Sequence, residues 1–529
     1  MSDACKVLIA DKMDAKAAAI FRERGIDVDE QPGLSPDQLA AIIGEYDGLA
    51  VRSSTRVTAA AMDAALPRLK VIGRAGIGVD TIDVPAASAR GIVVMNTPFG
   101  NSITTAEHAI AMLFALAREI PQADHSTQSG KWEKNRFIGV ELAGKTLGLI
   151  GCGNIGSIVA DRAHGLKMKV VAYDPFLSPD RAVELGVEKV ELDELLRRAD
   201  FISLHTPLTD QTRGILSREA LAKTRKGVRI VNCARGGLID EAALREGLES
   251  GHIAGAALDV FAEEPARDNG LFGAPGLICT PHLGASTTEA QVNVAIQVAE
   301  QMSDLLLLGG ITNAVNMPSL SAEEAPRLKP YMALAEKLGR LVGQIAGADI
   351  RSVAIEVEGA AAELNLKPIS GAVLAGLMGT YSDTVNMVNA PFFAKERGLD
   401  VREVRHDREG DYHTLVAVTV GTPEGERRVA GTLFGNRAPR LVDIFGVAVE
   451  AELSPSMIYI VNTDAPGFIG ALGTTLGQAG VNIATFNLGR RKAGGEAVAL
   501  VAVDDPVTPE LAEALRALPG VLKVVPLTF

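Results

Sequence analysis

The chain has 529 residues, and at about 100–200 residues per domain it holds three or four domains instead of one small module. Lysine and arginine number 52 against 65 aspartates and glutamates, and the formal charge of −13 argues against a nucleic-acid partner. Hydrophobic residues at 47% and charged residues at 22% are typical of soluble globular chains, so each domain can bury a core.

The sequence carries no sign of metal binding, secretion or membrane insertion. Its four cysteines are scattered and none stands in a CxxC pair, which indicates a reducing compartment. The N-terminus lacks the basic region and long apolar stretch of a secretory signal. Apolar runs such as Ala109 to Ala117 fall well short of the roughly 20 residues that span a bilayer. We therefore expect a cytoplasmic protein without a metal.

The first 316 residues alternate short aliphatic runs with helical patterns, which predicts β-α-β units around parallel sheets. One such run extends from Lys6 to about Pro98. The segment from Asn101 to Ile120 then predicts one long helix, with Ser102 or Thr104 as its cap. A second run, from GKTLGLIG to LICTPHLG, offers six strand candidates, as in a doubly wound nucleotide-binding sheet. A last helical pattern, Thr287 to Leu308, can return to the first domain.

The C-terminal part has a different texture. From about Met317 to Ser454 a helical pattern precedes strand-like segments without a chemical motif. The remainder predicts the order β-α-β-β-α-β, a ferredoxin-like unit. The expected domains are residues 1–98 with 283–316 for substrate binding, 99–282 for nucleotide binding, 317–454 as an intervening domain, and 455–529 as a small regulatory domain.

A glycine-rich motif, GCGNIG, stands between a predicted strand and a predicted helix. Gly151 permits a tight turn, Gly153 lets the backbone approach a pyrophosphate, and Gly156 allows close packing of helix and strand. Asp174 ends the next strand, 18 residues after Gly156, where a carboxylate binds ribose hydroxyls and repels a 2′-phosphate. The spacing predicts NAD instead of NADP as the cofactor.

A second glycine-rich segment, GRAGIGVD, does not fit the dinucleotide fingerprint, because no long helix follows it. It is interpreted as a loop whose backbone approaches a substrate at Gly76. Neighbouring strand ends and the start of the predicted crossing helix add polar groups that suit a carboxylate or phosphate. These groups are Arg52, Ser53, Arg74 and Asn101.

Three further residues follow strands of the half that carries the fingerprint, at the edge where open α/β sheets bind ligands. His282 can take and return a hydroxyl proton near neutral pH, as hydride transfer from a secondary alcohol requires. Glu264 can orient the imidazole and stabilise its protonated form. Arg235 can hold a substrate carboxylate bidentately.

Together GCGNIG with Asp174, NCARGGLID, LDVFAEEP and TPHLGAST resemble the D-isomer-specific 2-hydroxyacid dehydrogenases over residues 40–316. The C-terminal part resembles the tail of the long-form D-3-phosphoglycerate dehydrogenases. The resemblance implies an α/β fold of two doubly wound parallel-sheet domains, a flavodoxin-like substrate domain and a Rossmann NAD domain. An α+β intervening domain and a ferredoxin-like ACT domain would follow.

The resemblance also implies the reaction: NAD-dependent oxidation of 3-phospho-D-glycerate to 3-phosphohydroxypyruvate, the entry step of L-serine synthesis, in a homodimer or homotetramer. His282 would be the acid/base, Glu264 its partner, and Arg235 the carboxylate clamp. The implied cofactor contacts are Gly151, Gly153, Asn154, Ile155, Gly156, Asp174, Thr206, Cys233 and Asp259. The implied substrate contacts are Arg52, Ser53, Arg74, Gly76 and Asn101, with Lys134 or Arg136 near the phosphate from the same or a neighbouring subunit.

Two alternatives stay open on the residues alone. A dehydrogenase of glyoxylate, hydroxypyruvate or 2-oxoglutarate would use the same α-hydroxy acid chemistry, and corepressors of the C-terminal-binding type use NAD without catalysis. The ACT-like tail favours phosphoglycerate. Its effector positions are Asn462, Asp464 and Asn482, of which only Asn482 matches the serine-inhibited pattern, so we expect weak or no inhibition by L-serine.

Overall fold

A computed structural model describes residues 5–320, 324–347, 349–382, 384–406 and 412–529. They form four sheets, one per predicted unit, and confirm the predicted fold class. No helix among these described ranges is both long and apolar enough to cross a membrane.

The first sheet is parallel, with strand order β2-β1-β3-β4-β5, the flavodoxin-like order. Side-chain caps begin its helices: Asp14 accepts from the Lys16 amide, and Ser35 forms a reciprocal capping box with Gln38. The elements are β1 (Lys6–Ile9), α1 (Ala15–Glu23), β2 (Asp27–Glu30), α2 (Pro36–Ile42), β3 (Gly48–Val51), α3 (Ala59–Ala65), β4 (Val71–Arg74), α4 (Val84–Ala89) and β5 (Val93–Met95).

The predicted crossing helix is shorter than expected. Helix α5 (Ser102–Arg118) begins after Asn101, whose side chain makes no capping hydrogen bond. It ends at Glu119, a residue with a left-handed φ of 51°, and α6 (Ile120–Gln128) continues in a new direction. Neither the predicted single helix to Ile120 nor the predicted side-chain cap at Ser102 or Thr104 is therefore correct.

The second sheet has seven parallel strands in the order β12-β11-β10-β9-β6-β7-β8. The seventh, β8, has only two residues and was not predicted. The elements are β6 (Thr146–Ile150), α7 (Asn154–Gly165), β7 (Lys169–Tyr173), α8 (Pro179–Glu184), β8 (Glu188–Lys189), α9 (Leu192–Arg198), β9 (Phe201–Leu204), α10 (Arg218–Ala222), β10 (Val228–Asn232), α11 (Glu241–Glu249), β11 (Ile253–Leu258) and β12 (Leu277–Cys279).

Helix α12 (Thr288–Leu308) returns the chain to the first sheet. Its buried Val294, Val298 and Met302 belong to the same core cluster as Val71 of β4. Gly73 of β4 lies directly under Met302, and a Cβ there would collide with the methionine side chain. The return helix thus covers the sheet on which the second glycine-rich loop is built.

The third unit combines a long helix with a mixed sheet of order β14-β13-β15-β16-β17-β18, in which only β13 and β14 pair in parallel. Strands β14, β17 and β18 and helices α14 and α15 were not predicted. The elements are α13 (Ala325–Ile345), β13 (Ser352–Gly359), α14 (Leu366–Met378), α15 (Ala390–Glu396), β14 (Asp400–His406), β15 (Thr414–Thr422), β16 (Gly425–Phe434), β17 (Ala438–Ile444) and β18 (Val447–Ala451).

The C-terminal unit confirms the predicted order β-α-β-β-α-β, with an antiparallel sheet β20-β21-β19-β22. The elements are β19 (Ser456–Thr463), α16 (Phe468–Gln478), β20 (Ile483–Arg490), β21 (Glu496–Val503), α17 (Pro509–Arg516) and β22 (Val521–Thr528). Gln344 of α13 exchanges two hydrogen bonds with the backbone of Thr528, at 3.0 and 3.1 Å. This unit is therefore attached to α13 along β22.

The third unit also contacts the first. Asn386 donates from Nδ2 to the Gly91 carbonyl oxygen at 3.0 Å, and Asn389 donates to the Ala89 carbonyl at 3.4 Å. Gly91 has a φ of 72°, and a Cβ at this position would meet the Asn386 amide. A largely apolar cavity of about 840 Å³ lies beside this contact.

Candidate active site

A cavity of about 620 Å³ opens between the first and second sheets. The first domain contributes its β3 and β4 loops, and the second contributes the segments after β11 and β12. Seven of the predicted residues line it: Arg52, Ser53, Arg74, Gly76, Asn101, Glu264 and His282. Residues that the sequence places far apart thus meet in one cleft.

His282 and Glu264 form a hydrogen-bonded pair in this cavity. The imidazole Nδ1 lies 2.6 Å from Glu264 Oε2, while Glu264 Oε1 accepts from the Phe261 amide at 3.0 Å. Burial raises the pKa of Glu264, but the hydrogen bonds from His282 and Phe261 outweigh it and hold that pKa below its usual value. An ionised Glu264 accepts a hydrogen bond from the Nδ1–H of His282, which leaves His282 Nε2 as the basic atom.

Asp259 anchors the loop that carries His282. Its buried carboxylate accepts from Thr280 Oγ1 at 2.6 Å and from the amides of Leu283 and Gly284 at 2.7 and 2.8 Å. His108 of α5 adds a contact at 3.3 Å. Burial raises the pKa of Asp259, and these hydrogen bonds more than offset it, so the net pKa is lowered. The carboxylate therefore fixes the backbone on both sides of the left-handed His282, whose φ is 54°.

Arg52 and Arg74 line the first-domain side of the cavity, and Arg235 of the second domain, which does not line it, is a third charge close to Arg74. Arg235 donates from Nε to Asp80 Oδ2 at 3.0 Å across the cleft. Burial, together with the positive charges of Arg235 and Arg52, lowers the pKa of Arg74 to about 10. Three buried polar atoms of the lining have no hydrogen-bond partner among the described residues: Arg52 Nε, Arg74 Nε and Asn101 Oδ1. The two arginine Nε atoms are unpaired cationic donors that suit an anionic ligand, and the Asn101 oxygen is an unpaired acceptor.

The nucleotide loop has the geometry that the fingerprint requires. Gly151 has a φ of 92°, and a Cβ there would lie 2.6 Å from the His205 carbonyl oxygen. A Cβ on Gly156 would collide with the Gly151 carbonyl, whereas the space beside Gly153 is open. Helix α7 starts at Asn154 and Ile155 without a side-chain cap, so its first amides are available to an anion.

Asp174 stands beside this loop at the end of β7. Its two carboxylate oxygens accept from the Cys152 and Phe176 amides, both at 2.8 Å. The carboxylate is thereby held next to the glycine loop with lone pairs left for ribose hydroxyls. Open space at Gly153, uncapped amides and this fixed carboxylate fit an NAD molecule.

Cys233 and Thr206 follow β10 and β9, at the same edge of the second sheet as His282. Burial raises the pKa of the Cys233 thiol well above its usual value, with a further increase from the Asp259 charge. The thiol stays protonated, which fits the expected role as a contact residue and not as a nucleophile.

The two predicted phosphate ligands lie elsewhere. Neither Lys134 nor Arg136 is among the residues that line the cavity, and both are exposed. Arg136 pairs with Glu133 at 3.2 Å. Their contact with substrate stays a prediction.

The effector positions of the C-terminal unit are engaged by the protein itself. Asp464 pairs with Arg490 at 2.5 Å and accepts from the Gly494 amide at 2.9 Å, and both contacts lower its pKa. Asn482 donates to Asp504 at 2.7 Å. Asn462 is buried and donates to the Thr463 carbonyl. The turn therefore already contains an internal ion pair.

Three residues of the site were not predicted from the sequence: Asp80, His108 and Thr280. Asp80 stands in the predicted substrate loop, and this position could have marked it as a site residue. Its partner Arg235 is 155 residues away in the sequence, so their contact could not be predicted. His108 is a polar residue within an apolar helix, and Thr280 is the first residue of the TPHLGAST motif, directly after β12. Only the folded chain shows that the last two contact Asp259.

Comparisons with known proteins agree along the chain. Residues 110–284 match the family profile "D-isomer specific 2-hydroxyacid dehydrogenase, NAD binding domain", residues 327–445 match "D-3-phosphoglycerate dehydrogenase intervening domain", and residues 456–520 match "ACT domain". A glyoxylate reductase structure from Paecilomyes thermophila superposes with a TM-score of 0.56 at 30% identity, covering 59% of this chain and 98% of its own.

Full-length relatives are more similar in sequence. The D-3-phosphoglycerate dehydrogenase of Synechocystis is 44% identical over 518 residues, covering 98% of this chain and 93% of the relative. That of Bacillus subtilis is 43% identical over 480 residues, covering 90% and 91%. The chain therefore belongs to the D-3-phosphoglycerate dehydrogenase family, NAD-binding members of the D-isomer-specific 2-hydroxyacid dehydrogenases.

Proposed function

We propose that the protein oxidises 3-phospho-D-glycerate to 3-phosphohydroxypyruvate with NAD, the first step of L-serine biosynthesis. The observation that carries the proposal is the His282–Glu264 pair, at 2.6 Å, in a cavity where the buried Nε donors of Arg52 and Arg74 are unpaired. A phosphorylated hydroxy acid brings both the hydroxyl that needs a base and the negative charge that these donors need.

The residues divide the chemistry as follows. Arg235 holds the substrate carboxylate, and Arg52 and Arg74 attract the phosphate end. His282 Nε2 takes the proton of the C2 hydroxyl, while ionised Glu264 stabilises the resulting imidazolium. Bound NAD supplies the hydride acceptor for C2. In the reverse direction the imidazolium returns its proton to the carbonyl oxygen.

The cofactor is held by the other half of the cleft. Gly151, Gly153 and Gly156 shape the loop that receives the pyrophosphate at the amides of Asn154 and Ile155. Asp174 binds the ribose hydroxyls. Cys233, Thr206 and Asp259 border the nicotinamide side.

The assembly and domain division are part of the same proposal. We place the substrate domain at 1–98 and 283–316, the NAD domain at 99–282, and the intervening and ACT domains at 317–454 and 455–529. Exposed apolar side chains support a homo-oligomer whose contact includes α5, α6 and the segment after them: Ile103, Phe114, Ile120, Trp132 and Ile138. A cytoplasmic location fits the four free cysteines. Sedimentation velocity of the full chain distinguishes dimer from tetramer.

The test of the reaction is an NADH-absorbance assay with 3-phosphoglycerate beside unphosphorylated D-glycerate, in both directions. We expect turnover of the phosphorylated acid and a much lower kcat/KM for D-glycerate. Faster turnover of glyoxylate, hydroxypyruvate or 2-oxoglutarate would assign the chemistry to another acid. Binding of NAD without turnover of any of these acids would refute the enzymatic function.

A further inference from the structure

Asp80 contacts the proposed carboxylate clamp from the opposite domain. It lies in the loop between β4 and α4, and its Oδ2 accepts from Arg235 Nε at 3.0 Å. Arg235 follows β10 of the second sheet, so the pair joins the two domains, although neither residue lines the cavity. The Arg235 side chain is 25% exposed and that of Asp80 is 63% exposed.

Two contacts orient the Arg235 guanidinium and leave part of it free. Nε donates to Asp80, and Nη1 donates to the Ala234 carbonyl oxygen at 2.6 Å. Nη2 lies against the α-carbon of Gly78, where a Cβ would collide with it. Since a guanidinium has five N–H donors and these contacts use two, three remain for a substrate carboxylate.

The surrounding charges give Asp80 a second effect. Arg52, Arg74 and Arg235 repel one another, and the charge of Asp80 opposes the lowering of the Arg74 pKa. Asp11 lies beside Arg52 in a similar way. It is buried under the β3 loop, and its Oδ2 accepts a hydrogen bond from the Arg52 backbone amide at 2.5 Å. Arg235 and Arg52, the two arginines on either side of Arg74, therefore each have a carboxylate from the first domain close to them.

We propose that Asp80 is a positioning residue for Arg235, which holds the guanidinium over Gly78 with its free N–H groups toward the substrate carboxylate. The inference rests on the proposed function, because Arg235 must bind a carboxylate for its orientation to matter. An exposed ion pair alone contributes about 0–1 kcal/mol to stability. The effect of Asp80 is therefore on substrate affinity and not on folding.

The first test is Asp80→Asn in the full-length protein. We expect KM for 3-phosphoglycerate to rise about tenfold with kcat within about twofold, because an interaction made equally in ground and transition states affects KM alone. The dissociation constant of NADH and the thermal midpoint should stay unchanged. Asp80→Glu, which keeps the charge, should recover part of the affinity.

The matched control is Asp63→Asn. Asp63 also pairs with an arginine of the first domain, Arg90 at 2.6 Å, but away from the cleft. Its KM should equal that of wild type. An unchanged or lower KM in Asp80→Asn would overturn the proposal, since a lower value would mean that Asp80 competes with substrate for Arg235.

A double-mutant cycle separates positioning from direct contact. The affinity of 3-phosphoglycerate for the NADH complex is measured by calorimetric titration in Arg235→Ala and in Arg235→Ala with Asp80→Asn. If Asp80 acts through Arg235, the second change has no further effect. A further tenfold loss would overturn the inference, whereas absence of 3-phosphoglycerate turnover in wild type would refute the proposed function separately.

Discussion

Replacing Glu264 by glutamine tests how the imidazole is oriented, because the amide has one acceptor oxygen where the carboxylate has two. Glu264 accepts from the Phe261 amide and from His282 Nδ1 simultaneously. If the amide oxygen stays with Phe261, the NH2 group donates to Nδ1. A neutral imidazole then carries its proton on Nε2, the atom that must act as base.

The other orientation of the amide has its own cost. With the oxygen toward Nδ1, the NH2 group faces the Phe261 N–H, and an unsatisfied donor costs about 1–3 kcal/mol. Loss of the charge that stabilises the imidazolium adds about 1.5–3 kcal/mol. Because the side chains of His282 and Glu264 are 50% and 35% exposed, solvent screens part of this sum. We expect about 3–4 kcal/mol, which is about 10²–10³-fold in kcat/KM.

The assay measures initial rates of NADH formation with saturating NAD and varied 3-phosphoglycerate. Glu263→Gln is the matched control, since Glu263 is the exposed neighbouring carboxylate and does not line the cavity. Affinity for NADH, measured by fluorescence, should be unchanged in both variants. A loss below about fivefold in Glu264→Gln, or an equal loss in Glu263→Gln, would refute the orientation argument.

Five further outcomes are expected. His282→Ala should bind NADH normally and lose turnover by at least about 10²-fold, as loss of a general base predicts; a near wild-type rate would remove His282 from the mechanism. Asp259→Asn should lower the free energy of unfolding by about 2–3 kcal/mol, because an amide cannot accept from both the Thr280 side and the Gly284 amide. The pKa of Asp259 is lower in the folded state than its unfolded value of 3.8, so its carboxylate stabilises the fold fully above that pH. This stabilisation is lost as the pH falls through the folded pKa. Between neutral pH and a pH below about 4, the thermal midpoint of wild type should therefore fall more than that of Asp259→Asn. Asp174→Asn should reduce the preference for NAD over NADP by about tenfold or more in kcat/KM, and an unchanged ratio would remove the charge of Asp174 from cofactor selection. L-Serine should inhibit weakly or not at all, because the Asp464–Arg490 pair occupies the effector turn; inhibition at micromolar serine would contradict this.

The parts of the site that could be predicted are those with local signals. The glycine loop was predictable because it has two local steric requirements that only glycine meets. Gly151 adopts a left-handed turn, and Gly156 allows close contact between helix and strand. His282 was identifiable as a titratable residue just beyond a strand. It lines the cavity between the two domains, and its catalytic role stays a prediction.

The features that were missed depend on contacts between distant segments. The Asp80–Arg235 pair joins residues that no periodicity relates. The break at Glu119 lies inside a continuous helical pattern. It could not be predicted, because a non-glycine residue gives no sign of a left-handed φ. Strand β14 is largely exposed and has almost no alternation of apolar and polar residues, so its burial pattern carries no sheet signal.

The contact between the intervening unit and the first domain has a consequence for engineering a minimal catalyst. Leu306 and Ile311 line the second cavity together with Met387 and Val388 of the intervening unit. Asn386 holds this segment of the intervening unit in place through its hydrogen bond to the Gly91 carbonyl. A fragment ended near residue 316 would turn this protected surface toward water, where adjoining apolar side chains favour aggregation. A soluble truncated enzyme would therefore need polar replacements at such positions, although every proposed catalytic residue would still be present.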